Sequence, residues 1–141
     1  YSDLVTTKAP VGIVPGRIEA EGAVKINGTS VTRTSDIDGK YNLTGFGGIS
    51  ETAEITYEIE VQKSGKYTLS YRVASPRDTK GFRVLIDDKE VLIEKVIKTG
   101  GYNEWETQQG GTFNLKKGKF SLVIKSLDKN WKLNWLELTE I

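Results

Sequence analysis

The chain has 141 residues, contains neither cysteine nor histidine, and carries 20 basic against 19 acidic residues, a net charge of +1. This length favours a single domain with its own core, and the composition excludes disulfides, cysteine-ligated zinc, a thiol nucleophile and the usual histidine base of hydrolases. The balanced, interleaved charge argues against nucleic-acid binding, and no apolar run approaches the ~20 residues of a membrane span.

The first part of the chain differs in character from the rest. Residues 1 to about 16 show little periodicity and hold two of the three prolines. They are interpreted as either a linker or an added edge strand. Residues 17–141 are predicted to form the folded domain.

Two carboxylates follow in the run from Pro15 to Glu21. Glu19 and Glu21 are two residues apart in what reads as an extended segment, so at strand period both would point to one side. Adjacent like charges repel unless a cation, a basic neighbour or water accompanies them. An oxygen-ligated ion such as calcium and a solvated edge strand are both open interpretations.

The remaining elements alternate apolar and polar residues. Residues 55–61 and 67–73, joined by a turn at Ser64-Gly65, are interpreted as an antiparallel pair with one dry face. Residues 82–86 and 91–93 flank an acidic turn and predict a second hairpin. No stretch combines apolar residues at helical spacing with capping residues at its ends. The prediction is an all-β fold, a jelly-roll β-sandwich of two antiparallel sheets.

Aromatic residues concentrate in glycine-rich loops. Gly100-Gly101 and Gly110-Gly111 bracket Tyr102 and Trp105, and Trp131 follows Asn130 where a strand begins. Such loops can present flat aromatic faces to a ligand, although the same rings could plug the ends of a sandwich. Trp131 and Trp105 are interpreted as candidate binding residues, whereas Trp135 is expected in the core.

Four separated motifs occur in order: PGRIEAE near the start, TAEITYEIEVQKSGKYTLSYRVAS over residues 52–75, TGGYNEW over 99–105 and KLNWLEL over 132–138. Together they resemble the family 6 carbohydrate-binding modules, over roughly residues 15–141. The resemblance implies a jelly-roll sandwich without catalytic activity, a structural calcium ion, and a sugar site on loops at one edge of the sandwich.

The resemblance also implies individual roles. The calcium ligands of the family fall on Glu19, Glu21 and Asn134, with backbone carbonyls from the loop around Arg33. The aromatic pair that sandwiches a sugar falls on Trp105 and on either Tyr41 or Phe46, with Tyr102 as the earlier aromatic of the same segment. Where the family commonly has a sugar-binding asparagine, this chain has Lys132, a point charge suited to an anionic sugar. Alternatively, Lys132 faces solvent and Asn130 or Asn134 binds the hydroxyls.

The expected function is therefore a secreted, extracellular and monomeric module that binds a plant or algal polysaccharide. It would direct an appended glycoside hydrolase domain to its substrate. An alternative is a protein-interaction or scaffolding sandwich, which would need a continuous apolar patch. A glycosidase using Glu19 and Glu21 is disfavoured, because one motif would have to serve both metal and chemistry.

Overall fold

The computed structural model describes residues 11–33, 36, 41–44 and 52–141. Within these residues the chain forms one 3-10 turn at Ala20–Gly22 and otherwise only strands. The strands are, in chain order, β1 Gly12–Val14, β2 Gly16–Glu19, β3 Lys25–Asn27, β4 Ser30–Arg33, β5 Tyr41–Thr44, β6 Glu54–Val61, β7 Gly65–Ser75, β8 Phe82–Ile86, β9 Lys89–Glu94, β10 Gly101–Leu115, β11 Gly118–Ser126 and β12 Lys132–Glu140.

The strands form two six-stranded sheets. One runs β1-β6-β11-β8-β9, with β3 also paired to β6, and the other runs β10-β7-β12-β5-β4, with β2 also paired to β12. Every pairing is antiparallel except that of β1 with β6. This arrangement confirms the predicted all-β jelly-roll sandwich.

The core lies between the two sheets and is built from alternate residues of the long strands. Because successive side chains of a strand point to opposite faces, one face of each sheet becomes apolar. The inward side chains include Ile55, Tyr57 and Ile59 of β6, and Leu69, Tyr71 and Val73 of β7. Each fully buried aliphatic side chain contributes about 1.5–3 kcal/mol of transfer free energy.

The predicted pairing of residues 55–61 with 67–73 is wrong. β6 pairs with β1, β3 and β11, whereas β7 pairs with β10 and β12 in the other sheet. The turn between them carries the chain from one sheet to the other, so the two strands face each other across the core. The apolar faces of the two strands therefore belong to two different sheets and not to one hairpin.

The second predicted hairpin is confirmed. β8 and β9 pair from Phe82 opposite Glu94 to Ile86 opposite Lys89. The two turn residues, Asp87 and Asp88, have φ values of 47° and 69°. Positive φ at both positions is characteristic of the type I′ turn that closes tight hairpins.

At the start of the described chain, β1 adds a short parallel strand beside residues 59–61 of β6. Residues 1–10 lie outside the described residues. None of the described residues belongs to a helix long and apolar enough to cross a membrane.

Candidate functional site

Trp105 and Lys132 meet on the outer face of the second sheet. Both are paired with Ala74 of β7, Trp105 from β10 and Lys132 from β12. Val73 points into the core, so Ala74 points outward, and residues opposite one another in a sheet share a face. The half-buried residues Trp105 and Lys132 therefore flank a small, fully covered alanine.

A bulge in β10 adds a second ring to this face. Gly101 pairs with Ser75 and Trp105 with Ala74, so the register of the ladder shifts across the three residues between them. Tyr102 is the first of the three, and its ring centroid lies 5.5 Å from Nζ of Lys132. A cation at this distance is attracted to the ring face. We call Tyr102, Trp105 and Lys132 the ring site.

Thr99 fixes the base of this bulge. Its backbone N–H donates to the Ser75 carbonyl over 2.8 Å, and its hydroxyl accepts from the Ser75 N–H over 2.9 Å. Gly100 follows with a φ of 112°, a conformation in which a side chain would be strained. The loop is therefore anchored on one side before it turns sharply into the ring site.

Asp128 holds the turn that precedes Lys132. Its carboxylate accepts from Arg77 over 2.9 Å and 3.3 Å, and from the backbone N–H groups of Lys80 and Lys129 over 2.9 Å and 2.8 Å. The hydrogen bonds from Arg77 are the main reason that the pKa of Asp128 lies well below its usual range. Asn130, half-buried and with a φ of 66°, completes this turn beside the ring site.

Trp131 is not a binding residue, and this part of the prediction is wrong. Its side chain is fully buried and stacks on Phe82 with the ring centroids 5.4 Å apart. The indole N–H donates to the Ser126 hydroxyl over 3.1 Å and to the Asp128 carbonyl over 3.2 Å. With both its faces and its polar group satisfied inside the protein, Trp131 is a core residue.

Trp135 is buried as expected, but on the outer face of the sheet. It pairs with Arg72 of β7 and Glu19 of β2, and the guanidinium carbon of Arg17 lies 4.1 Å from its ring centroid. Arg17 thus covers an indole that would otherwise face solvent.

The two alternatives for the partner aromatic differ in position along β5. Leu43 pairs with Leu133, and β5 runs antiparallel to β12, so the end at Thr44 lies toward Lys132 and the end at Tyr41 points away. Tyr41 is 45% exposed. Along the sheet, Tyr41 is therefore not brought beside the ring site. Phe46 lies outside the described residues.

Glu19, Glu21 and Asn134 form a second constellation, which we call the oxygen site. Glu19 ends β2, but Glu21 lies in the 3-10 turn, so the predicted strand spacing of the two is wrong. They are still neighbours, because the charge of Glu19 contributes to a raised pKa of Glu21, for which burial is the largest cause. Burial also raises the pKa of Glu19, against a lowering by Arg17.

Two buried side-chain oxygens in the described part of the chain have no hydrogen-bond partner, and both belong to the oxygen site. They are Oε1 of Glu21 and Oδ1 of Asn134. A buried acceptor left unpaired costs about 1–3 kcal/mol. The 3-10 turn that carries Glu21 packs against β12, the strand that carries Asn134. Two orphaned oxygens in adjacent elements are suited to a cation with oxygen ligands.

Asp36 is a residue that the sequence analysis missed. Its side chain is 2% exposed, accepts from Arg72 over 2.8 Å and 2.9 Å, and accepts from Nδ2 of Asn134 over 2.8 Å. The bond to Asp36 fixes which way the Asn134 amide points, and so leaves Oδ1 as the free end. Arg72, the only charge among the outward residues 68–74 of β7, was a signal for a buried acidic partner.

Arg33 lies at the end of β4, where it pairs with Tyr41. No three acidic side chains cluster anywhere in residues 11–33, 36, 41–44 or 52–141. A cation at the oxygen site would therefore need amide or carbonyl oxygens besides its carboxylates.

Comparison with known proteins identifies a family match over most of the chain. The model for "Carbohydrate binding module (family 6)" matches residues 19–140. The clotting factor G alpha subunit of Tachypleus tridentatus is 29% identical over 127 residues, which cover 88% of this chain but 18% of that protein. The chain thus spans less than a fifth of the length of this curated relative.

Solved structures of similar size share the fold. A carbohydrate-binding module of the Cellvibrio mixtus lichenase 5A, in complex with cellotriose, matches with a TM-score of 0.76 and 27% identity, covering 91% of this chain and 98% of that one. The C-terminal family 6 module of LamC, a marine laminarinase from Zobellia galactanivorans, matches with a TM-score of 0.71 and 28% identity, covering 88% and 98%.

Proposed function

We propose that the ring site binds a polysaccharide, from the premise that the chain belongs to the family 6 carbohydrate-binding modules. The observation that carries the proposal is the placement of Trp105 and Lys132 on either side of Ala74. It puts a half-buried indole and an amine on one outward face, with Ala74 as a small floor between them.

This arrangement suits the chemistry of a sugar. A pyranose ring has apolar C–H patches on its faces and hydroxyl groups around its edge. Trp105 supplies an aromatic face for the C–H patch, with Tyr102 beside it. Lys132 and Asn130 supply polar groups for the hydroxyls. Because the hydroxyls must lose water, an affinity of about 10⁻³ to 10⁻⁵ M is expected, or roughly 4–7 kcal/mol.

A calcium ion at the oxygen site is the second part of the proposal. The orphaned oxygens of Glu21 and Asn134 support it, as does the raised pKa of Glu21, which is caused first by burial and further by the charge of Glu19. Glu19 and backbone carbonyls near Arg33 would complete the ligand set. Bound calcium would neutralise the two carboxylates and tie β2 to β12, so its role would be structural.

Family 6 modules are non-catalytic, and we extend this to the present chain. Such modules typically belong to extracellular enzymes that degrade polysaccharides. We propose that this one is a secreted, monomeric module that brings an appended glycoside hydrolase to its substrate.

Affinity electrophoresis tests the binding proposal. The chain is run through gels that contain laminarin, xylan, β-glucan, agarose or polygalacturonate, with Trp105→Ala beside the wild type. Retardation of the wild type by at least one glycan, abolished in Trp105→Ala, is expected. A wild type that none of the gels retards would overturn the proposal. Release of reducing sugar by pure protein would overturn the non-catalytic role.

A further inference from the structure

Three segments meet at the end of β7 that carries the ring site, through the bonds of Thr99 to Ser75 and of Arg77 to Asp128, and each has a net positive charge. They are residues 75–81, 95–105 and 127–132, each with two basic residues and one acidic residue. The chain as a whole is nearly neutral, at +1. The three segments together hold six basic and three acidic residues, and Glu94 and Glu106 flank the middle one.

Two of the three acidic residues in these segments accept hydrogen bonds from within the protein. Asp128 accepts from Arg77 and from two backbone N–H groups. Asp78 accepts from the backbone N–H of Lys98 over 2.9 Å. Glu104, the third acidic residue, is exposed in the bulge beside Tyr102. Lys132 forms no ion pair with a carboxylate in the described part of the chain.

A basic groove adjoins the ring site. It encloses about 410 Å³ and is lined by Arg77, Lys80 and Lys95 together with Asp78, Thr79, Ile97 and Asp128. Arg77 of the groove donates to the Lys129 carbonyl over 3.0 Å, three residues before Lys132 of the ring site. A chain lying on Tyr102 and Trp105 could therefore extend past several cations.

Lys132 lies where it could contact a charged substituent of a sugar bound at the ring site. Its amine lies over Tyr102, while its backbone sits in the row that includes Trp105. An amide side chain hydrogen-bonds neutral hydroxyls as well as a lysine does, and it avoids the free-energy cost of desolvating a charge. A lysine gains over an amide when the group it meets is anionic.

We infer that the ligand of the ring site is an anionic polysaccharide, and that Lys132 selects it by contacting a carboxylate or sulfate group. This inference rests on the proposed function, and it adds the charge class of the ligand. Lys80 and Lys95 of the basic groove raise the local concentration of such a chain without contacting the same sugar.

The experiment pairs each anionic glycan with a neutral counterpart of the same backbone. Isothermal titration uses polygalacturonate against its methyl ester, and ι-carrageenan against its desulfated form, with laminarin as an uncharged reference. The proteins are the wild type, Lys132→Asn, and Lys66→Asn as a control. Lys66 is an exposed lysine near the other end of β7.

We expect one anionic glycan to bind at least about tenfold more tightly than its neutral counterpart at 50 mM salt. Lys132→Asn should remove most of this preference, and 500 mM salt should reduce it to about twofold by screening. Lys66→Asn should retain it. Comparison of the polygalacturonate pair with the carrageenan pair shows whether the site prefers a carboxylate or a sulfate group.

Tight binding of laminarin or another neutral glycan, unchanged in Lys132→Asn, would overturn the anionic preference and leave the proposed function standing. Anionic selectivity that survives in Lys132→Asn would overturn the role of Lys132. If no glycan binds at all, the proposed function itself fails.

Discussion

The indole of Trp131 stacks on the phenyl ring of Phe82, with the centroids 5.4 Å apart and the planes at 15°. Phe82 in turn meets Tyr71 edge to face at 5.1 Å. The three rings join β7, β8 and the residue just before β12, and so connect both sheets next to Lys132 in the chain. Trp131 therefore supports the site from inside, while Trp105 lines it from outside.

Replacing Trp131 with alanine should cost about 3–5 kcal/mol of unfolding free energy, because it leaves a cavity and removes the indole N–H that donates to the Ser126 hydroxyl and the Asp128 carbonyl. Denaturant unfolding measures this loss. Trp131→Phe, which keeps the ring, should cost less. A Trp131→Ala protein with wild-type stability and no sugar binding would show that the ring faces the ligand after all.

Calcium should raise the unfolding midpoint of the protein, and EDTA should lower it. The pKa values of Glu19 and Glu21 are raised in the folded protein, so without metal their charged forms oppose folding at neutral pH. This opposition fades as pH falls through the raised pKa values and the groups become protonated. The stabilisation by calcium should therefore shrink from pH 7 to pH 4.5, because protons compete with the ion.

Differential scanning calorimetry with and without calcium, at each pH, checks this expectation. Glu21→Gln should abolish the calcium shift, whereas Glu58→Gln, at an exposed position of β6, should preserve it. An unchanged midpoint in EDTA, together with no metal in the native protein, would rule out the calcium site.

Asp36→Ala should destabilise the fold by about 2–3 kcal/mol, because it removes the buried partner of Arg72. It should also weaken calcium binding, since the Asn134 amide loses the bond that orients it. Glu90→Ala breaks the exposed pair with Arg83 and should cost less than about 1 kcal/mol. Equal losses in the two variants would mean that the bonds of Asp36 add nothing beyond a surface ion pair.

Much of the fold could be predicted because strand periodicity is local. The alternation through Ile55, Tyr57 and Ile59 reports one buried face whatever strand lies beside it. Which strand pairs with β6 cannot be deduced from this local alternation. A short turn after Val61 fits both a hairpin and a crossing between sheets, since the apolar faces meet in either case.

The candidate site was less predictable, because its geometry depends on residues far apart in the chain. Ala74 unites Trp105 with Lys132 only through two strand registers. The burial of Trp131 depends on Phe82 and on acceptors at Ser126 and Asp128. Similarly, the orientation of Asn134 is set by Asp36, 98 residues away. The residue pattern within a single segment could therefore not predict these contacts.

Isothermal titration of Trp105→Ala against the glycan that best retards the wild type tests the central claim most directly. Trp105 is half-buried on the outer face, so its loss should leave the unfolding midpoint close to that of the wild type. Binding should weaken by at least about tenfold, because the main stacking face is gone. A folded Trp105→Ala protein that binds this glycan as tightly as the wild type would contradict the claim that the ring site holds the sugar.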